Sequence, residues 1–374
     1  MIALYLFFSY ASFVIHFASI PFYMILTPAL LLIYRNNKFD KNIFLLCALF
    51  IWPIIYTFFL SISNRHSIDV SVEVLAYIIH ALSFILVSSF IYSNYTNYLK
   101  AIENLLLIIF ITLICDVISG AIFGKPIISF MPTLEDIFTG RRDNIIPILG
   151  LQLPRIQGFM SEATYLGLAF NCLLFILVVS NRYKPYHLIL LFIVQISTLS
   201  ISSIPLTLIN LVLIFKKIRS IGGFIFLFLL VISISILFYL LGDLVNLVNA
   251  AISKLSGQGA SGIGRLSKLL LLIEMLKESM FLGYGIDYFV SINGTNTGTY
   301  LGLFLIEGGL VSLGFLIITF FIMGKISYQT NGLVETILAL LFILFTLFVH
   351  SSAFPLIYFL PMIHLLSINN RAIT

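Results

Sequence analysis

The sequence predicts an all-α, polytopic integral membrane protein built as a single transmembrane domain, and three observations carry that expectation. Hydrophobic residues fill 60% of the 374 positions and charged residues only 9%, against roughly 25% charged in soluble domains. Apolar runs of about 20 residues recur along the chain, the length a helix needs to cross a hydrocarbon core of about 30 Å. Short loops between those runs alternate in charge, as the positive-inside rule requires.

Taken in order, the runs place spans near 2–17, 19–34, 42–61, 70–92, 99–119, 161–180, 186–199, 202–215, 221–241, 298–323, 333–350 and 353–369. Residues 1–34 are too long for one upright helix and tight for two, and Pro21 and Pro28 suggest a break there. The opening "MIALYLFFSY" lacks a basic stretch and a small-residue cleavage site, so the first run is expected to stay as an anchor. "STLSISSIP", with Pro205, suggests a short hairpin that turns inside the protein's own packing. Cys47, Cys115 and Cys172 all fall in apolar runs and are expected as packing residues, with neither a disulfide nor a metal among them.

Arg35, Lys38 and Lys41 share one short loop, Arg182 and Lys184 another, and Lys216, Lys217 and Arg219 a third, with Lys325 and Arg371 later on the same side. That side is predicted to be the cytoplasm. Two long connections, about 120–160 and 242–297, then fall on the extracytoplasmic side. Loops of this length inside a compact fold are usually functional or disordered, and these hold most of the residues capable of chemistry.

In the first loop, "RIQGFMSEATYLG" sets Arg155 and Glu162 at the head of a span. Ser161 as a cap with Glu162 in the first turn would account for the glutamate, because a carboxylate there complements the helix dipole. It does not account for Arg155, nor for Arg141 and Arg142 before it. A guanidinium is a planar fork of donors suited to phosphate, so these arginines point to an anionic ligand or to lipid headgroups. In the second loop "SGQGASGIGR" matches the spacing G-x-G-x-x-G, yet no βαβ unit surrounds it and a dinucleotide fold is rejected. What remains is a glycine-rich run leading to Arg265 at a helix start, either a linker or a phosphate cradle. Residues 266–280 form a polar and an apolar face, the pattern of a helix lying at a membrane surface, which breaks at Gly283 and Gly285.

His350, near the outer end of its span, is a functional candidate, since an ionisable group at such depth is by default a functional-site hypothesis; a neutral histidine satisfied by the neighbouring serines is the alternative. His16 and His80 on apolar helices carry less weight. Glu307 is expected to bond across to another helix. Asp287, after the Gly283/Gly285 turn, is a candidate for binding a sugar hydroxyl, and Tyr165 and Tyr284 complete the candidate substrate-binding set.

These elements resemble the O-antigen polymerase (Wzy) and O-antigen ligase superfamily of bacterial envelope glycan assembly. Arg155-x-x-Gly158 followed by Ser161-Glu162 is similar to the family's "RxxGxFxEPS". Arg265 ahead of "GYG" is similar to its arginine, helix and "PLxGxG" element. "TYLGLFLIEGGLVSLG", residues 299–314, is similar to its "YLxxLxExGxxG" span. Ala163 replaces the family's proline, and Thr297 stands near the position where ligases carry a histidine, which favours a polymerase.

The resemblance implies a C-type, multi-span fold and an inverting glycosyltransferase that needs no metal, no cofactor and no sugar nucleotide, in the bacterial inner membrane with its site facing the periplasm or cell exterior. Donor and acceptor would be glycan repeat units on undecaprenyl pyrophosphate, with membrane lipid around them, a chain-length regulator as a possible protein partner, and no nucleic acid. Arg155 and Arg265, assisted by Arg141 or Arg142, would neutralise the leaving pyrophosphate, and Glu162 or His350 would take the proton of the attacking hydroxyl. Ligase activity is the nearest alternative. A lipid-linked oligosaccharide flippase is the rival from another class, and it predicts key charges near mid-bilayer.

Overall fold

The computed structural model of the protein describes residues 1–12, 14–17, 20–35, 37–62, 71–125, 127–131, 145–148, 151–154, 159–160, 163–198, 200, 203–217, 281–286, 299–349 and 356–368. Among them are eleven α-helices: α1 (Ile2–Tyr10), α2 (Phe22–Ile33), α3 (Ile43–Ile62), α4 (Ser71–Ser93), α5 (Tyr95–Phe123), α6 (Ala163–Val179), α7 (Pro185–Thr198), α8 (Ile204–Lys217), α9 (Tyr300–Asn331), α10 (Leu333–Val349) and α11 (Leu360–Ser367). Four of these, α3, α4, α5 and α9, are long and apolar enough to cross a membrane, and α2, α6, α7, α8 and α10 are shorter apolar helices. The chain is therefore a mostly helical membrane protein.

Several expected boundaries are corrected. The first run does not make one helix over 2–17: α1 stops at Tyr10, and His16–Phe17 and Ile20–Pro21 pair as two short antiparallel strands, β1 and β2. His16 thus lies on a strand. The last run divides into a 3₁₀ turn, Leu356–Tyr358, and the eight residues of α11. The first long loop holds a hairpin of β3 (Ile145–Ile148) and β4 (Leu151–Pro154) that an all-α reading omits. The span at 221–241 and the surface helix at 266–280 lie outside the described residues.

Local chemistry sets the helix ends. Asn94 accepts the Asn97 N–H at 3.1 Å to cap α5, and Gly124 closes that helix in the left-handed region at φ 67°. Thr299 caps α9 by accepting the Gly302 N–H at 3.0 Å. Pro28 and Pro53 lie inside α2 and α3, where threonine hydroxyls bond carbonyls of the preceding turn, Thr27 to Tyr23 and Thr57 to Pro53.

Helix α3 packs on α4 and α9, and α9 on α10. Phe50 is the hub of that packing, with ring contacts to Tyr77, His80, Phe84, Phe304 and Phe359 at 5.2–5.8 Å between centroids. His80 is fully buried in this aromatic nest.

Helices α7 and α8 have 14 residues each, roughly 21 Å at 1.5 Å per residue and short of a 30 Å core. Their turn therefore lies inside the bundle, as the serine-rich sequence suggests. It is held by neutral polar groups: Ser203 and Thr207 hydroxyls donate to Gln195 Oε1 at 2.7 and 3.0 Å, and Asn171 of α6 bonds Thr207 and Asn210. Ser203 also sits where a side chain on Gly167 would stand.

One end of the bundle is basic. Lys184 pairs with Glu103 and Lys216 with Glu335, and the Glu103 carboxylate holds the Lys184 ammonium above the usual lysine range. These pairs gather the start of α5, the α6–α7 loop, the end of α8 and the start of α10 at that end.

Candidate functional site

At the opposite end of α6, the described chain resumes at Phe159 and Met160, just before the predicted Ser161–Glu162 element. Phe159 packs on Tyr10 and Phe7, with centroids 6.1 and 6.5 Å apart. The Tyr10 hydroxyl is held 3.0 Å from the Thr112 hydroxyl of α5. The Tyr358 hydroxyl donates to the Tyr165 carbonyl at 3.2 Å and lies 3.9 Å from Met160 Sδ. Tyr300, the first residue of α9, stacks on Phe304 and meets Phe359 edge-on. Residues of α1, α5 and the 3₁₀ turn thus hold the start of α6, and Tyr300 of α9 meets Phe359 next to that turn.

The first loop reaches this place through the β3–β4 hairpin. Ile145 pairs with Pro154, so the chain segments leading to Arg141–Arg142 and to Arg155 leave from the same end of one hairpin. Strand β4 packs against α5.

The second loop returns through residues 281–286, which dock into a break in α9. Gly309 takes φ 58° and ψ −152° inside that helix. The Tyr284 N–H donates to the Ile306 carbonyl at 2.7 Å and the Gly285 N–H to the Glu307 carbonyl at 3.0 Å. Trp52 Nε1 donates to the Gly308 carbonyl at 3.2 Å, and the Ile286 N–H to the Thr57 hydroxyl at 2.7 Å. Carbonyls at a helix break inside a membrane must find donors in the protein, and here the glycine turn and one tryptophan supply them. The Glu307 side chain, 3% exposed, accepts the Tyr77 hydroxyl of α4, the cross-helix bond expected for it.

Of the predicted site residues, Tyr165 and Tyr284 are described. Both are half-buried, and their hydrogen bonds go to different elements, Tyr165 to the 3₁₀ turn and Tyr284 to α9. Arg141, Arg142, Arg155, Glu162, Arg265, Asp287 and His350 lie outside the described residues. No group of three or more histidine, cysteine, aspartate or glutamate side chains suited to a metal occurs among the described residues.

Sequence reasoning missed Asp116. It is 1% exposed on α5, one turn beyond Thr112, and its carboxylate accepts the Ile127 N–H at 2.8 Å. The signal was present: a lone acid in "LLIIFITLICDVISG" is the sort of intramembrane charge that marks a working part. Tyr77, Trp52 and Thr57 gave no such signal, because their roles arise only from contact with distant chain.

Compared with protein-family models, curated proteins and solved structures, the chain matches none.

Proposed function

We propose that the chain is a polysaccharide polymerase of the bacterial inner membrane, which transfers a glycan from a lipid pyrophosphate onto a second lipid-linked repeat unit. The observation that carries this reading is the docking of residues 283–286 onto Ile306–Gly309. Two stretches that resemble separate motifs of the O-antigen polymerase superfamily, "GYG" and "YLGLFLIEGG", meet directly through two backbone hydrogen bonds. The head of α6, which carries the third motif, is pinned by Tyr358, two residues ahead of α11.

On this reading the fold is a C-type bundle of about twelve spans, the basic end faces the cytoplasm, and the two long loops cover the outer mouth. Arg155 and Arg265 hold the pyrophosphate, with Arg141 or Arg142 assisting, and neutralise the charge that develops as it leaves. Loss of one such donor costs about 10²–10³ in rate. Glu162 or His350 takes the proton from the acceptor hydroxyl. Tyr165, Tyr284 and Asp287 contact the sugars.

Deleting the gene and sizing the surface glycan tests the reading. A single repeat on the lipid core is the expected result, and Arg265→Ala or Arg155→Lys expressed at normal levels should fail to restore polymer. A bare core with polymer stranded on its carrier would show a ligase instead, and unchanged glycan would overturn both.

A further inference from the structure

Of the three basic loops at one end of the bundle, two carry an acid partner: Lys184 pairs with Glu103 and Lys216 with Glu335. The loop between α2 and α3 is different. Arg35, Lys38 and Lys41 are all exposed there and make no ion pair among the described residues. The loop's own acid is turned inward. Asp40 is 3% exposed, its carboxylate accepts the Asn42 N–H at 2.9 Å, and its backbone N–H donates to the Ser88 hydroxyl of α4 at 3.2 Å. Three outward cations thus stand against one buried carboxylate.

The loop is also recessed. Tyr34 meets Phe90 of α4 edge-on at 4.9 Å, and Ser88, which holds Asp40, bonds Ser367 of α11 at 2.9 Å. Helix α4 runs on to Ser93 and α5 begins at Tyr95, so the α2–α3 loop stops roughly 5–8 Å short of the α4–α5 turn at 1.5 Å per residue. Exposed apolar side chains flank it: Leu32 and Ile33 at the end of α2 and Phe44 at the start of α3, 54–72% exposed. Cations set in a step above such side chains meet the phosphates of a lipid whose acyl chains lie along α2 and α3. A folded protein partner would meet the projecting α4–α5 turn first.

We propose that the α2–α3 loop retains an anionic phospholipid that carries two phosphates, held through Arg35, Lys38 and Lys41. Guanidinium and ammonium groups make charge-assisted hydrogen bonds to phosphate, and basic clusters at the ends of membrane helices bind anionic headgroups. Three cations match the charge of two phosphates more closely than that of one. This site is independent of the polymerase reading.

Native mass spectrometry of the full-length protein in detergent, with cardiolipin, phosphatidylglycerol or phosphatidylcholine added, tests the assignment. Cardiolipin should be retained most and phosphatidylcholine least. A surface cation contributes about fivefold to the affinity for anionic lipid, so the triple variant Arg35→Gln/Lys38→Gln/Lys41→Gln should weaken cardiolipin retention on the order of a hundredfold. The charge-matched triple Lys100→Gln/Arg182→Gln/Lys325→Gln removes as many exposed cations from α5, the α6–α7 loop and α9 and should retain cardiolipin as wild type does. On wild type alone, retention should fall as salt rises from about 0.1 to 1 M and the Debye length shrinks from about 10 to 3 Å. Cardiolipin held no better than phosphatidylglycerol or phosphatidylcholine, equal loss in the two triple variants, or retention indifferent to salt would each overturn the proposal.

Discussion

Gly283 and Gly309 press backbone against backbone: a Cβ built on Gly283 would stand 2.6 Å from the Gly309 nitrogen, and one built on Gly309 would overlap the Gly283 nitrogen. Both residues have positive φ, 82° and 58°, so two conformations that favour glycine meet at one point. This contact locks the end of the second long loop into the break of α9.

Gly309→Ala and Gly283→Ala should each destabilise the protein. The strained backbone alone costs about 1–3 kcal/mol, and overpacking adds to it. Thermal unfolding in detergent should show a lower Tm for both. The double variant should lose less than the sum, since the first substitution already opens the contact. Gly314→Ala in the same helix is the control. Nothing lies within 4 Å of its Cβ position, and exchange for alanine in a helix interior should gain about 0.5–1 kcal/mol.

Thr57 ties the same turn to α3. Thr57→Val keeps the side-chain shape but removes the acceptor of the Ile286 N–H, and a buried donor left unsatisfied costs about 1–3 kcal/mol. Thr57→Ser keeps the acceptor and should stay near wild type. Equal stability of the valine and serine variants in a denaturation series would contradict the role of the hydroxyl.

The Tyr77–Glu307 bond predicts an asymmetry. Glu307→Gln still offers a carbonyl oxygen to the Tyr77 hydroxyl, whereas Tyr77→Phe withdraws a donor from a buried carboxylate. Removing the partner of a buried polar group costs about 1–3 kcal/mol, whereas the glutamine variant keeps the bond. Unfolding measurements should therefore rank Tyr77→Phe as the more damaging of the two.

In the α7–α8 hairpin, Thr207→Val removes a hydroxyl that bonds Asn171 and Gln195. Hydrogen bonds between membrane helices average about 0.6 kcal/mol, with a maximum of about 1.7 kcal/mol, so the loss should be modest. Asn171→Leu should cost more, because it removes one partner each from Thr207 and the Asn210 amide, which keep only Gln195 and the backbone carbonyl of residue 171. A double-mutant cycle between positions 171 and 207 reads the coupling directly.

The sequence by itself determined the class and much of the helix layout. Hydropathy marked the four long helices to within a few residues at most of their ends, and Lys184, Lys216 and Lys325 marked one end of the bundle. The serine-rich stretch before Pro205 signalled a turn inside the packing. What only the tertiary structure decided is which elements meet. Tyr77 finds Glu307 230 positions away, Trp52 finds Gly308 256 positions away, and the Gly283 turn closes on Gly309. The early end of α1 and the β3–β4 hairpin were also illegible. The reason is physical: in a bilayer a helix is apolar toward lipid and toward its neighbours alike, so no stripe in the sequence tells a packed face from a lipid-facing one. Partner choice is written instead in small residues and single hydrogen bonds, whose meaning depends on the chain that arrives opposite them.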